Sequence, residues 1–394
     1  MKIEPSGRRA FLRSACKQCL GLGALASLPA IAQDLSSIKV PPRFTRPAAD
    51  TDEGGLWGIM DREETRLKRS PLTIHNQELE AYLKELVCRL GENHCPDIRV
   101  HPVRTPHFNA MMAPNGMMIV WSGLLLRVEN EAQLAAILGH EMGHYLERHT
   151  VEQLRAQEQT AVVSTMVGMI GGVGTFLGQI GLAANMFAYS REHESRADRM
   201  GMRLMRLAGY DGREAYAVWD NLLEEMKVTE GKEAGKTADI FDTHPVTAER
   251  RDALKALAGD TGGIVGEERY RAAIAPLRFG WILDEVKRGQ YEESLVLFDR
   301  MLRKDPQDAE VMFARGEIYR LRDEGGDGDK ALADLDGASR MAKAPAETFR
   351  SLGLLYRQRK DAPAAAQAFQ TYLAQAPQAP DAALVRSYIT DLQP

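Results

Sequence analysis

The chain has 394 residues, with 50 Lys and Arg against 55 Asp and Glu and a net charge of -5. That length accommodates two domains, each with its own core. The mild acidity, with no basic block beyond the N-terminus, excludes an electrostatic case for nucleic acid and leaves a soluble globular class.

Residues 1–32 read as an export signal outside the fold. Arg8 and Arg9, followed by Ala10, Phe11, Leu12 and Arg13, form a twin-arginine signature. An apolar stretch from Leu20 to Ala32 ends in the cleavage site Ala30-Ile31-Ala32. The export pattern has Ser directly before the arginines, whereas Gly7 intervenes after Ser6 here. The apolar run is short for a bilayer span, and neither Cys16 nor Cys19 sits where a lipidated cysteine would. The expected destination is the bacterial periplasm, reached by the twin-arginine route. Cys88 and Cys95 then remain; they could close a short disulfide in an oxidising compartment, although two free half-buried thiols fit the spacing nearly as well.

Residues 33–55, with Pro41, Pro42 and Pro47, read as an extended arm. A helical pattern begins at Trp57, and a second amphipathic helix runs from Glu78 to Leu90. Ile98 to Val103 and Met117 to Trp121 read as strands around Pro106, Pro114 and the Asn115-Gly116 turn. This part is expected to be α+β with a small sheet. An edge strand of it could align an extended peptide, or the strands could serve only as core.

Glu131 to His149 reads as one helix. Asn130 caps it with Gln133 three residues on, and Leu134, Ile137, Leu138 and Met142 recur at helical spacing. It carries His140, Glu141 and His144 in the pattern H-E-x-x-H. Residues four apart share a helix face, so the two imidazoles converge on one metal ion. Glu141, turned about 100° from His140, becomes the candidate general base beside the open coordination position.

A third ligand has to come from elsewhere. In the longer form of the motif a Gly and a third His follow, but here Glu147 and Thr150 occupy those positions and His149 is one residue out of register. The best downstream candidate is Glu194 in SREHESRADRMG, completing two His and one Glu with a position left for water. Asp198, one turn later, would accept the second N–H of a metal-bound imidazole. Ala197 and Gly201 keep that face narrow enough for two helices to approach closely. Glu192 and His193 are rival ligands without a carboxylate one turn on.

HEMGHYLERH followed by ESRAD resembles the zinc metallopeptidase family that includes the CAAX prenyl protease and the membrane heat-shock protease HtpX. Phe108-Asn109-Ala110, the segment through Leu126, Thr243-His244-Pro245 and Arg250 extend the similarity over about residues 55 to 255. The resemblance implies a gluzincin-type domain with one zinc ion per chain. It also implies that His244 reaches the site, either donating a hydrogen bond to an oxyanion or filling the fourth zinc position at rest. Arg250 would support His244 or bind substrate carbonyls. His75, His94, His101 and His107 have no partners at metal spacing and are taken as surface residues. The uncharged stretch from Ala161 to Ser190 is expected to be a mobile apolar cover with peripheral membrane or substrate contact, in preference to a membrane span.

From residue 275 a period of 34 appears, with one three-residue insertion at the Asp323–Gly328 turn. Gly316 and Tyr319 recur as Gly353 and Tyr356, Phe298 as Phe369, and Pro306 as Pro377. Spacing and residue types match tetratricopeptide repeats, placed at 275–308, 309–345 and 346–379, the first degenerate at Ile282-Leu283. With these repeats the chain is most similar to the periplasmic BepA-like group. The expected organisation is a signal peptide (1–32), an arm (33–55), a mainly α metallopeptidase domain with a small sheet (56–265) and an all-α repeat domain (266–394). The expected function is a zinc endopeptidase of protein quality control that acts on misfolded or stalled envelope and outer-membrane proteins, its repeats recruiting substrate or docking on the outer-membrane assembly machinery. The alternative is a non-catalytic chaperone or assembly factor with a structural zinc.

Overall fold

The computed structural model describes residues 35–156, 189–228, 244, 246–260 and 262–392. The expected signal segment, nearly all of the apolar stretch 161–190, and Thr243 and Pro245 lie outside the described residues.

Helix α1 (Asp52–Leu67) starts where Thr51 accepts a hydrogen bond from the Gly54 nitrogen at 3.1 Å. It therefore begins five residues earlier than the apolar pattern indicated, because the cap and not the first Trp sets the start. Helix α2 (Gln77–Gly91) follows, and its stripe of Leu79, Leu83, Leu86 and Leu90 is buried in the main core. Each such leucine contributes about 1.5–3 kcal/mol through burial. Cys88 and Cys95 are joined as a disulfide across the end of α2.

The sheet has three strands in the order β1-β3-β2: β1 (Arg99–Val103) runs parallel to β3 (Met117–Trp121), and β2 (Ala110–Met112) pairs antiparallel to β3. The sequence pattern marks β1 and β3 but not β2, which is only three residues long. Helix α3 (Ser122–Arg127) continues directly from β3.

Helix α4 (Glu131–Leu146) is buried along its whole length. Asn130 accepts the Gln133 N–H at 2.8 Å, and the Gln133 side chain in turn accepts the Glu129 N–H at 2.9 Å. The helix ends at Leu146, short of the expected His149. Arg148 takes a left-handed conformation with φ of 58°, and a separate helix α5 (His149–Ala156) starts after it. Helix α6 (Arg191–Leu207), begun by Ser190 accepting the His193 N–H at 3.2 Å, packs extensively along α4. Gly139 faces Gly201, and Gly143 faces Ala197, where an added Cβ would come within 2.7 Å of the Ala197 carbonyl oxygen. Without these small residues the two helices could not sit this close.

Helices α7 (Arg213–Lys227) and α8 (Ala248–Ala258) close the other side of the site, and α9 (Glu267–Arg288) leads into the repeats. Pro276 interrupts the hydrogen-bond ladder of α9 near the expected start of the first repeat. Then come α10 (Tyr291–Lys304), α11 (Ala309–Arg322), α12 (Asp327–Ser339), α13 (Ala346–Gln358), α14 (Ala362–Gln375) and α15 (Ala382–Asp391). Gly316 packs on Leu335 and Gly353 on Phe369, as small residues between paired helices should.

Arg127 of α3 donates to Glu225 of α7 and to Glu285 of α9, each at 2.8 Å, and Arg300 of α10 donates to Glu225 at 2.6 Å. All four side chains are buried, so the first repeat is joined to the preceding domain by a desolvated ion network. No helix among the described residues is long and apolar enough to cross a membrane.

Candidate metal centre

Helical spacing on α4 brings the His140 and His144 Nε2 atoms to 3.1 Å from each other. From α6, Glu194 places Oε2 at 3.5 Å from His140 Nε2 and Oε1 at 3.4 Å from His144 Nε2. His244 arrives from the segment before α8, its Nδ1 at 3.3 Å from His140 Nε2 and 2.8 Å from Glu194 Oε1. The four side chains are all buried and form the one cluster of metal-ligating groups among the described residues.

These separations fit an ion. Donors about 2.0–2.1 Å from a tetrahedral centre lie about 3.3 Å apart, which is the spacing seen here. Without a cation, the buried Nε2 atoms of His140 and His144 would set lone pair against lone pair unless a proton bridged them, an arrangement that burial penalises. Nitrogen donors with one carboxylate suit zinc and its neighbours in the first transition row.

Around the cluster, the structure brings together the other residues singled out from sequence. Asp198 Oδ1 lies 2.9 Å from His140 Nδ1. Arg250 spans both acids: Nη1 is 2.6 Å from Glu194 Oε2, and Nη2 is 2.7 Å from Asp198 Oδ1. Its guanidinium also sits 5.1 Å from the centre of the Trp219 ring. Glu141 does not join the four donors; its Oε1 is 3.6 Å from His244 Nε2, in a cleft lined by Met111, Met112, Tyr189 and His244. Glu192 is exposed, and His193 lies outside the cluster.

Burial dominates the electrostatics. It pushes the Glu141 carboxyl above its ordinary range, although His244 and His140 oppose this. Burial also works against charge on Glu194, yet His244, His144 and His140 hold its carboxyl well below the usual range. For Asp198, burial is outweighed by Arg250 and His140, again lowering the pKa. Burial drives the His144 imidazole well below its normal value. In His244 burial acts the same way, but the facing Glu141 and Glu194 carboxylates win and the net shift is upward.

The sequence reading missed two groups here. Tyr189 stacks on the His144 ring with centroids 3.9 Å apart and accepts or donates a hydrogen bond with Thr150 at 2.9 Å. His149, set aside as out of register, is fully buried with its Nδ1 2.9 Å from His144 Nδ1. The third-position histidine spacing was a signal of sorts, but it pointed to direct ligation. The assignment of four histidines to the surface needs correction as well. Only His75 is exposed: His94 is buried against the Pro41 carbonyl, His101 bonds Glu64 at 3.0 Å, and His107 is half-buried beside Trp121. Each tucks its apolar ring inward and finds a local partner or ring contact, so lack of metal spacing did not imply exposure. None of the four joins the cluster.

Comparison with known proteins agrees with this geometry. Residues 73–258 match the model of peptidase family M48, and 279–324 and 320–380 match tetratricopeptide repeats. The mitochondrial metalloendopeptidase OMA1 of Schizosaccharomyces pombe is 31% identical over 155 residues, covering 38% of this chain and 44% of that protein. The beta-barrel assembly-enhancing protease of Escherichia coli K12 is 26% identical over 243 residues, covering 56% of this chain and 47% of the relative. Metalloprotease YcaL of the same strain is 27% identical over 156 residues, 38% of this chain and 58% of the relative. The chain thus spans about half the length of the curated relatives it matches. The metal-ligating cluster lies inside the segment that matches peptidase family M48, residues 73–258, and the paired helices that follow match tetratricopeptide repeats.

Proposed function

We propose that the protein is a periplasmic zinc endopeptidase, with His140, His144 and Glu194 as the ligands and Glu141 as the general base. The observation that carries this reading is a buried carboxylate, Glu141, held outside the ligating cluster but facing the same cleft. A zinc ion bound there supplies Lewis acidity, making water acidic near neutral pH and drawing electrons from a carbonyl oxygen. Glu141 takes the proton of the attacking water and returns it to the leaving amine. Asp198 and Arg250 hold the His140 ring and the Glu194 carboxylate in place. His244, the fourth donor-bearing side chain of the cluster, would complete the shell of a bound zinc at rest or donate a hydrogen bond to the developing oxyanion.

Strand β2 lies at the sheet edge, and its residues 110–112 line the same cleft, so an extended peptide could pair with it across from Glu141. Backbone pairing reads little side-chain identity, which suits unfolded chains. The relation to the beta-barrel assembly-enhancing proteases supports misassembled envelope and outer-membrane proteins as substrates, with the repeats recruiting them or docking on the assembly machinery.

A second reading has its own support. Four protein donors would close the shell of a bound zinc, as in structural zinc sites, and would suit a chaperone without catalysis. A structural site needs no base. Purified protein should therefore hold about one equivalent of zinc and cleave casein, while Glu141→Gln should keep the zinc and lose cleavage. Wild-type cleavage by that variant would reject the assigned mechanism, and absence of bound zinc would reject the ligands.

A further inference from the structure

Every imidazole that binds a metal through one nitrogen has a second nitrogen to place. For His140 that nitrogen faces Asp198. For His144 it faces His149, Nδ1 to Nδ1 at 2.9 Å, with the two rings in an edge-to-face arrangement at 4.9 Å. Two ring nitrogens at that distance share a single proton. His144 turns Nε2 toward His140 and Glu194, so its own proton sits on Nδ1 and His149 Nδ1 is the acceptor.

We propose that His149 is a positioning residue of the metal centre, accepting the Nδ1–H of His144 and fixing that ring with Nε2 toward the ion. This rests on the reading of His144 as a ligand. His149 is not itself a ligand, since it stands behind the ring and outside the four-donor cluster.

The fold is built to return His149 to this place. Five residues along a continuous helix it would be turned about 140° away from His144. The left-handed Arg148 breaks the helix, and α5 starts with His149 pointing back. A non-glycine residue in that conformation costs about 1–2 kcal/mol, and distant contacts offset it: Arg148 is paired with Glu53 of α1 and lies over the Phe44 ring at 5.4 Å. The N-terminal arm and α1 thereby hold the turn that orients the ligand. The choice of acceptor also has a physical reason. Glu141, Glu194 and Asp198 already place three acids in the buried site against Arg250. A neutral imidazole orients His144 without adding a fourth buried charge. His193 stacks on the His149 ring with centroids 4.6 Å apart and confines it.

The test compares His149→Asn with His149→Leu and His149→Phe in the full chain. Asn keeps an acceptor oxygen one bond from Cγ, where the Nδ1 atom stood; Leu and Phe keep apolar volume only. Zinc affinity is measured by chelator competition, and the visible spectrum of the cobalt-substituted protein reports ligand geometry. Leu and Phe should weaken zinc about 10–100-fold and shift the cobalt bands, with Asn close to wild type in both. Apo-protein melting identifies any variant that fails to fold; if Leu does, Phe carries the comparison. Wild-type affinity in the folded apolar variants overturns the proposal, as does an Asn variant as impaired as they are. If the wild type itself binds no zinc, the ligand assignment fails and this inference fails with it; if only the apolar variants match the wild type, the ligand assignment stands alone.

Discussion

Gly201 lies directly against the backbone of His140: a Cβ added to it would sit 2.8 Å from the His140 nitrogen and 3.0 Å from the Gly139 carbonyl carbon. These are backbone atoms inside a helix and cannot yield as a flexible side chain would. Gly201→Ala should therefore push α6 away from α4, carrying Glu194 with it. We expect about 1–3 kcal/mol of lost stability in urea together with weaker zinc binding. Loss of stability with unchanged zinc affinity would show that the reach of Glu194 does not depend on this contact.

Arg250 is the cation facing both Glu194 and Asp198. Replacing it by Met leaves two buried carboxylates opposed only by the neighbouring imidazoles and, when it is bound, the metal. The apo protein should lose about 3–5 kcal/mol, the usual cost of breaking a buried pair. The zinc-loaded protein should lose less, so the rise in melting temperature on adding zinc should be larger in Arg250→Met than in wild type. An equal rise in the two proteins would count against electrostatic coupling between Arg250 and the centre.

The ion network between the metallopeptidase domain and the first repeat should matter far more than the surface pairs. Arg127 is 3% exposed and bonded to two buried acids, although Arg300 and Arg288 also reach those acids. Arg127→Met is expected to cost about 3 kcal/mol, the lower end for a buried pair. By contrast Arg46, 64% exposed beside Asp61, should cost under about 1 kcal/mol when replaced by Met. Urea melts of the two variants test the ratio; similar losses would mean that the buried network is no stronger than a surface pair.

His107 should give the fold a sensitivity to acid. Burial holds its imidazole down to about 4, from an ordinary value of 6.5, with Arg288 and Arg127 adding to the effect. Between those limits the unfolded chain takes up a proton that the native state refuses, so stability falls as pH drops from about 6.5 to about 4 and is independent of this group above that window. His107→Gln cannot be protonated and should flatten the fall. Urea unfolding at several pH values measures it: relative to wild type, the variant should gain stability toward pH 4, and a difference constant with pH would exclude a neutral buried imidazole.

Much of the site was legible because it is local. The His140, Glu141 and His144 spacing, the Asn130 cap and the Ser190 start of α6 are set within a turn or two of helix, where sequence distance fixes spatial distance. Glu194 could be chosen over its neighbours by helical phase, and the repeats by the Gly316 and Gly353 positions packed on Leu335 and Phe369. The mainly helical architecture with its small sheet followed from the same periodicities.

What escaped was decided by residues far apart in the chain. Helix α4 ends at Leu146 because Arg148 adopts a left-handed turn that Glu53 and Phe44 support from about a hundred residues upstream in the chain. No pattern around position 148 announces it, since Arg has no preference for positive φ. That one turn converts His149 from an apparent misregister into the partner of His144. Strand β2 likewise exists only because β3 offers a free edge to three residues. The sequence by itself picked out His140, His144 and Glu194, which gather in the buried cluster, and set how they are spaced along their helices. The tertiary structure alone determined how their rings are held, because orientation depends on contacts whose energies come from the distant segments that close around the site.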